Sequence, residues 1–174
     1  GLAAIQIGQL LGAQVFATAG THEKCQLIET LGAISRPYPL EDFSKWLKPQ
    51  AEDPGVDVIL DMVGGTYLSR HIDLLNPDGR LILIGLLGGS QADLNLAEVL
   101  KKRLTLQGST LRHRSSSQKM AIRDALLERV WPEIEAGRIK TFIDSVFTLE
   151  AAADAHQRMK SSLHIGKMVL EVRP

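Results

Sequence analysis

A glycine, a threonine and a lysine stand close together where a predicted strand passes into a predicted helix. The strand covers residues 14–19, and Gly20, Thr21 and Lys24 follow it within about one helical turn. A hydroxyl and an ammonium group at the start of a helix suit an anion, because both donate hydrogen bonds and the helix end exposes further N–H donors. These residues are therefore candidates for holding a phosphate group. An ordinary turn capped by Thr21, with Lys24 in solvent, explains the pattern equally well.

The strand before Gly20 ends without an acidic residue. Dinucleotide sites that bind an unphosphorylated ribose place Asp or Glu there, where the carboxylate holds the 2′-hydroxyl. A carboxylate would repel a 2′-phosphate, whereas Thr21 and Lys24 would bind one. The interval from Gly1 to Gly20 is also about the 20 residues expected between a glycine-rich phosphate turn and the ribose contact. We therefore predict a site for a 2′-phosphorylated dinucleotide, with Gly1 as the last glycine of that turn.

The elements that must position these residues alternate between helix and strand. The strands are almost continuous apolar runs, which is typical of parallel strands covered by helices on both faces. We therefore predict an α/β fold with a Rossmann-type, doubly wound, mainly parallel sheet. Because Gly1 leads directly into a helix, we expect the first strand to be missing from the chain.

The predicted boundaries follow from hydrophobic spacing and from turn residues. The predicted strands are 14–19, 35–38, 56–61, 80–86, 104–110, 142–148 and 167–172. The predicted helices are 2–11, 23–31, 42–48, 67–75, 94–102, 118–137 and 149–161. Asn76–Gly79 reads N-P-D-G and predicts a turn, and Pro132 is expected to kink the long helix or to begin a second segment.

Composition narrows the functional class. The chain has 174 residues, with 44% hydrophobic and 23% charged residues and a formal net charge of zero. Such a balance gives no basis for a nucleic-acid or membrane partner, and no run reaches the roughly 20 apolar residues of a membrane span. The single cysteine, Cys25, fits a reducing compartment, and we expect a cytoplasmic protein.

No set of side chains in the sequence predicts a metal site or a catalytic group. The five histidines form no H-E-x-x-H pair, and one cysteine cannot build a Cys/His cluster. Ser115–Ser117 lacks a G-x-S-x-G context, so we interpret it as a helix cap. Asp61 either caps the turn before Gly64 or acts near the cofactor, with the cap favoured. Arg112 and Arg114 are equally compatible with an anion-binding loop and with a solvated pair.

Several segments, taken in order, resemble a known family. They include G-L-A-A-I-Q-I-G-Q-L-L-G-A, T-A-G-T-H-E-K, V-D-V-I-L-D-M-V-G-G and L-N-P-D-G-R-L-I-L-I-G-L-L-G-G. Together they resemble the C-terminal half of the zeta-crystallin-like quinone oxidoreductases of the medium-chain dehydrogenase/reductase superfamily. The resemblance implies NADPH as cofactor and hydride transfer to quinones or to other electron-poor alkenes and carbonyls. It also implies a homodimer formed through the region of residues 104–110.

The resemblance assigns roles to individual positions. Thr21, Lys24 and Tyr38 fall where family members surround the ribose phosphate. Val63 falls near the ribose and nicotinamide. The remaining positions line the nicotinamide pocket or its mouth, and they are Gly85, Leu86, Leu87, Leu111 and Arg112.

The sequence also departs from the family pattern. Some relatives place Arg where this chain has Ser162, which removes one possible phosphate contact. We expect the GroES-like catalytic domain of the family to be absent from these 174 residues. We therefore expect residues 1–141 to form a truncated cofactor-binding domain, and residues 142–174 to pack on that absent domain. We expect the chain alone to be inactive.

Two alternatives stay open from the sequence. The segment L-N-P-D-G-R-L-I-L-I-G also resembles one found in Rossmann-like methyltransferases. A methyltransferase should end the strand at residues 14–19 with an acidic residue, and this chain does not. The second alternative is a non-catalytic nucleotide-binding or structural module, which would bind cofactor without turnover.

Overall fold

The computed structural model describes residues 1–38, 43–47 and 55–172. Within these ranges the helices are α1 (Leu2–Leu10), α2 (His22–Thr30), α3 (Phe43–Leu47), α4 (Leu68–Leu74), α5 (Leu96–Lys102), α6 (Ser116–Arg129), α7 (Trp131–Glu135) and α8 (Ala152–Lys160). The strands are β1 (Phe16–Ala19), β2 (Ile34–Pro37), β3 (Val56–Asp61), β4 (Leu75–Leu83), β5 (Thr105–Gly108), β6 (Ile143–Thr148) and β7 (Lys167–Glu171). Short 3₁₀ turns cover Gly65–Tyr67 and Leu149–Ala151.

Five strands of the described ranges pair in parallel. β4 pairs in parallel with both β3 and β5, and β6 pairs in parallel with β7. β1 is hydrogen-bonded to β2. This arrangement confirms the predicted α/β class with parallel sheets. Helices separate the parallel strands along the chain, as such connections require.

The chain divides into two compact units. One unit contains Gly1–Arg36 and Ile122–Pro174, and the other contains Pro37–Ala121. We call them the first unit and the second unit. The predicted domain boundary at residues 141 and 142 stays a prediction.

The core of the first unit is built where α1 and α2 cover β1. Ile5, Ile28 and Ala33 are buried together. The partly buried apolar residues packed against them are Leu2, Val15, Ala17, Ala19 and Leu31. Cys25 is buried on the same helix as Ile28. Gly12 and Gly32 follow α1 and α2 with φ angles of +75° and +84°, the left-handed conformation in which glycine ends a helix.

Two polar contacts join distant parts of the first unit. The buried side chain of Gln6 donates to the carbonyl of Lys140 at 3.0 Å and accepts from its N–H at 2.8 Å. Asp144 accepts two hydrogen bonds from Arg158, at 2.9 and 3.0 Å, and one from the N–H of Ile165. The Arg158 guanidinium holds the pKa of the Asp144 carboxyl well below its usual range. The contacts of Asp144 join β6 to α8 and to the segment that leads into β7.

The second unit is organised around β4. Leu74, Leu75 and Leu81 are almost completely buried at the junction of α4 and β4. The pairing of β3 with β4 is interrupted, since Val56 pairs with Leu75 but Val58 pairs with Arg80. The four residues in between, Asn76–Gly79, bulge out of the ladder, and Asp78 has a φ angle of +63°.

The N-P-D-G prediction was therefore wrong about the boundary of the strand. The chain does turn there, but β4 begins at Leu75 instead of Arg80. The reason is that Leu75 is buried and pairs with β3 before the bulge, so the strand starts early and resumes afterwards.

Other observed element boundaries also differ from the predicted ones. β4 ends at Leu83, because the chain from residue 84 turns to contact the segment after β3. The predicted helix at 67–75 begins with a 3₁₀ turn, and β1 begins at Phe16. A separate segment, α7, begins at Trp131, so of the two alternatives predicted for Pro132, a kink or a second segment, the structure has the second. Part of the predicted helix at 42–48 lies outside the described residues.

We expect Gln6→Ala to lower the free energy of unfolding by about 1–3 kcal/mol, because it removes the two hydrogen bonds that the buried Gln6 side chain makes to the backbone of Lys140. Urea titration of both proteins would measure the difference. Gln157→Ala on α8 is the matched control, since that glutamine is exposed. Equal stability changes in the two variants would contradict the role of Gln6.

Candidate functional site

The predicted site residues fall in both units. Gly1, Gly20, Thr21 and Lys24 belong to the first unit. Tyr38, Val63, Gly85, Leu86, Leu87 and Leu111 belong to the second.

Thr21 caps α2, as the sequence predicted. Its Oγ1 accepts a hydrogen bond from the N–H of Lys24 at 3.2 Å, and its backbone is extended. This cap satisfies one of the N–H groups that a helix start leaves free. Gly20 lies at the bend between β1 and Thr21. Because the Thr21 side chain is exposed, its own O–H remains available to donate to a ligand.

The ammonium group of Lys24 has a partner that sequence analysis missed. Nζ donates to the carbonyl of Ser162, which follows α8 and has a φ angle of +56°. The two residues are 138 positions apart, so no local signal could have indicated the contact. An ammonium group has three N–H donors, and this bond uses one of them.

Gly1 and Tyr38 lie at the ends of elements. Gly1 precedes α1, and its carbonyl accepts the hydrogen bond that begins the helix from the N–H of Ile5 at 3.1 Å. Tyr38 directly follows β2, and its side chain is exposed. Both residues are accessible, as a contact with a ligand requires.

In the second unit, Asp61 shapes the turn after β3. Its Oδ1 accepts from the N–H of Val63 at 2.7 Å, and its Oδ2 accepts from the N–H of Gly64 at 3.0 Å. Asp61 is only 3% exposed. The interpretation of Asp61 as a turn cap is therefore confirmed.

A second turn, after β4, is bonded to the first. The N–H of Leu87 donates to the carbonyl of Met62 at 3.1 Å, and the N–H of Gly88 donates to Val63 at 2.7 Å. A Cβ atom on Gly65 would lie 2.3 Å from the carbonyl oxygen of Gly88. The close approach of the two backbones thus requires glycine. We call residues 62–65 and 85–89 the paired turns.

The carboxyl ends of β3, β4 and β5 present an exposed apolar surface beside these turns. Leu86, Leu87 and Leu111 are 53%, 83% and 60% exposed. An open cavity of about 520 Å³ lies there, and its lining residues are Ile84, Ser109, Thr110, Leu111, Arg112 and His113. Ligands of open α/β sheets bind outside the carboxyl ends of the strands. The structure therefore brings Val63, Gly85–Leu87 and Leu111 to the edge where a ligand is expected.

The two arginines of the loop after β5 differ in their contacts. The Arg114 guanidinium donates to the carbonyl of Thr110 at 3.2 Å and to Oγ of Ser109 at 3.3 Å, so it orders the loop. Arg112 lines the cavity. Ser115 caps α6 by exchanging hydrogen bonds with Gln118, as the sequence predicted.

His71 of α4 lies behind Asp61, and sequence analysis gave it no role. Its Nδ1 is 3.5 Å from Oδ2 of Asp61, and the residue is 6% exposed. Burial lowers the pKa of His71; the Asp61 charge opposes that change and the Arg70 charge adds to it. Because the depressed pKa favours the uncharged form, His71 is neutral at pH 7.

The described ranges hold neither a metal-binding cluster nor a membrane-spanning helix. In residues 1–38, 43–47 and 55–172, no three or more His, Cys, Asp or Glu side chains are grouped so that they could hold a metal ion. No helix in those ranges has both the length and the apolar character needed to span a bilayer.

Known proteins match this chain in sequence over nearly its whole length. The family model described as zinc-binding dehydrogenase matches residues 33–170. A quinone oxidoreductase of Rattus norvegicus is 33% identical over 98% of this chain and 50% of its own length. A phenolphthiocerol/phthiocerol polyketide synthase component of Mycobacterium tuberculosis is 30% identical over 99% of this chain and 8% of its own length.

Solved structures agree on the fold. The crystal structure of Escherichia coli quinone oxidoreductase complexed with NADPH superimposes with a TM-score of 0.83 at 26% identity. The match covers 99% of this chain and 53% of that one. The chain thus spans about half the length of the quinone oxidoreductases that it matches.

We expect Gly65→Ala to destabilise the protein by roughly 1–3 kcal/mol, because the residue has a φ angle of +50° and its new Cβ would press on Gly88. Chemical denaturation would measure the loss. Gly108→Ala is the control, since a Cβ there meets no atom within 4 Å. A Gly65→Ala protein as stable as the Gly108→Ala protein would show that the paired turns do not need this glycine.

Proposed function

Because the chain belongs to the zinc-binding dehydrogenase family, we propose that it is the cofactor-binding part of an NADPH-dependent oxidoreductase that reduces quinones or other electron-poor alkenes and carbonyls. The observation that carries the proposal is the carboxyl edge of β3, β4 and β5, where the paired turns stand beside exposed leucines. The family match confirms the resemblance to quinone oxidoreductases, and it does not favour the methyltransferase and non-catalytic alternatives.

The phosphate end of the proposed site rests on the start of α2. Thr21 retains a free O–H, and the Lys24 ammonium retains N–H donors after its bond to Ser162. Neither group is opposed by a carboxylate at the end of β1, whose last residue is Ala19. We assign the 2′-phosphate to Thr21 and Lys24 on this basis. The family resemblance adds Tyr38 as the residue that covers it.

The nicotinamide end uses the second unit. A bound nicotinamide supplies the hydride itself, so the chain's residues have to orient and shield it. Val63 and Gly85 belong to the paired turns, whose hydrogen bonds fix the backbone in advance of binding. Leu86, Leu87 and Leu111 offer apolar side chains that exclude water from the reacting atoms.

Zinc does not fit the residues of this part of the protein. The family description includes zinc, but within the described ranges no group of side chains forms a possible metal site. The proposed mechanism therefore includes no metal step on these residues. It also assigns no general acid to them, and the proton for the reduced acceptor comes from solvent in this scheme.

The remaining proposals concern the full-length protein. The chain spans half of its relatives' length, so we propose that the second wall of the substrate cleft lies outside it. We further propose that the full-length protein is a cytoplasmic homodimer associating through the region of β5. β5 is an edge strand of its three-stranded sheet, which makes such pairing possible.

We expect full-length protein to prefer NADPH to NADH, and Lys24→Ala to weaken NADPH binding by about 1–3 kcal/mol while leaving NADH nearly unchanged. Isothermal titration with both cofactors would measure the effect. Lys101→Ala on α5 is the control, because that lysine is exposed and lies outside the proposed site. Equal losses for NADPH and NADH would contradict the phosphate contact and indicate damage through Ser162 instead.

We expect full-length protein to oxidise NADPH with a small quinone, and the 174-residue chain alone to show no enzymatic rate. Hydride transfer needs the acceptor to be held about 3–3.5 Å from the nicotinamide. A cleft with only one of its two walls would leave the acceptor free to move. The assay follows NADPH absorbance with both proteins side by side, using a quinone and an enone as acceptors. A rate for the chain close to the full-length rate would overturn the two-wall model.

A further inference from the structure

The buried pair of Asp61 and His71 is not used by the proposed chemistry, yet it stands directly behind the paired turns. Both oxygens of Asp61 accept backbone N–H groups of the turn after β3. Nδ1 of His71 faces Oδ2 of the same carboxylate at 3.5 Å and has no hydrogen-bond partner within the ranges that the structure describes. A buried polar atom without a partner costs about 1–3 kcal/mol, so its position calls for a reason.

The carboxylate decides which nitrogen of His71 carries the proton. Both oxygens of Asp61 already accept backbone N–H groups, from Val63 and Gly64, so this side chain faces His71 as a hydrogen-bond acceptor. A lone pair on Nδ1 of His71 would repel the lone pairs of the Asp61 oxygen, whereas an N–H group on Nδ1 would be attracted to that oxygen. Neutral His71 therefore holds its proton on Nδ1. Shortening the 3.5 Å separation by roughly 0.5 Å would make a normal hydrogen bond.

Aromatic neighbours fix the imidazole ring in this orientation. Its centroid is 5.6 Å from that of Phe43 and 5.9 Å from that of Tyr67, which it meets edge-on at 81°. The Arg70 guanidinium lies 5.8 Å and 5.6 Å from the same two ring centroids. The ring is thus packed from α3 and from the 3₁₀ turn, and its nitrogen has little freedom to point elsewhere.

We infer that His71 is a positioning residue: its Nδ1–H holds the Asp61 carboxylate, and the carboxylate holds the turn that carries Val63. The chain of contacts runs from the α4 side chain through Asp61 to two backbone N–H groups and then, through Val63, to Gly88. The consequence for the reaction rests on the proposed function, in which Val63 forms part of the nicotinamide wall. The link from His71 to the turn does not rest on it.

Two substitutions at one position separate positioning from packing. His71→Phe keeps an aromatic ring in the cluster and removes the N–H. His71→Asn removes the ring and can place an amide N–H close to the position of Nδ1. A packing role predicts that Phe is tolerated and Asn is not, whereas the positioning role predicts the opposite order.

The first measurement is hydrogen exchange by mass spectrometry on the full-length protein without cofactor, for peptides spanning residues 61–66. We expect exchange in His71→Phe to be about 3- to 30-fold faster than in the parent, and in His71→Asn to return to within about twofold. His156→Phe, at an exposed histidine of α8, should match the parent. Parent-like exchange in His71→Phe, or faster exchange in His71→Asn than in His71→Phe, would overturn the inference.

The second measurement connects the turn to the reaction. NADPH affinity and kcat are determined for the same proteins, with about 3- to 10-fold weaker binding or turnover expected for His71→Phe and recovery in His71→Asn. Faster exchange without any change in binding or turnover would overturn the effect on the cofactor wall. A parent protein that binds no NADPH would instead refute the proposed function, and the exchange measurement would still decide the role of His71.

Discussion

One buried carboxylate supports the paired turns of the second unit. Asp61 ends β3 and places its two oxygens against successive N–H groups, so the chain must bend at once after the strand. The bend brings Val63 against Gly88, and the N–H groups of the second turn then find acceptors in the first. Glycine is required where the backbones meet, because a Cβ would collide with a carbonyl oxygen. The Asp61 carboxylate therefore requires the turn after β3, and the close contact of that turn with the second turn requires glycine.

In the first unit, Lys24 makes two structural contacts at once. Its backbone N–H completes the Thr21 cap, while its ammonium group reaches the carbonyl of Ser162 beyond α8. A long, flexible side chain usually loses much rotamer freedom when it binds a ligand. The hydrogen bond to Ser162 already restricts the rotamers of Lys24 before any ligand binds. In the proposed site, a phosphate bound by Lys24 would meet a side chain that already has a preferred position, and Ser162 would support that position without touching the ligand.

The features that sequence predicts well are those whose cause lies within a few residues. The Thr21 cap and the Asp61 turn depend on contacts spanning two to three positions, and both were anticipated. Pro132, whose effect is also local, lies in the first turn of α7. The Gln6–Lys140 and Lys24–Ser162 contacts join residues 134 and 138 positions apart, so they depend on packing that no local pattern records. The Asn76–Gly79 bulge lies between these cases. Its turn residues were recognised, but burial of Leu75 decided where the strand begins.

The burial of Cys25 gives the chain an internal reporter. It is the single thiol of the sequence, and it lies in α2 beside the core that Ile28 helps to form. A thiol in that position reacts with a water-soluble maleimide only when the helix opens, so the labelling rate at a series of denaturant concentrations gives the free energy of that opening. Because α2 begins at the Thr21 cap and the N–H of Cys25 donates to the carbonyl of Thr21, protection of the thiol by added nucleotide would register binding at the proposed site one turn away, without any engineered probe.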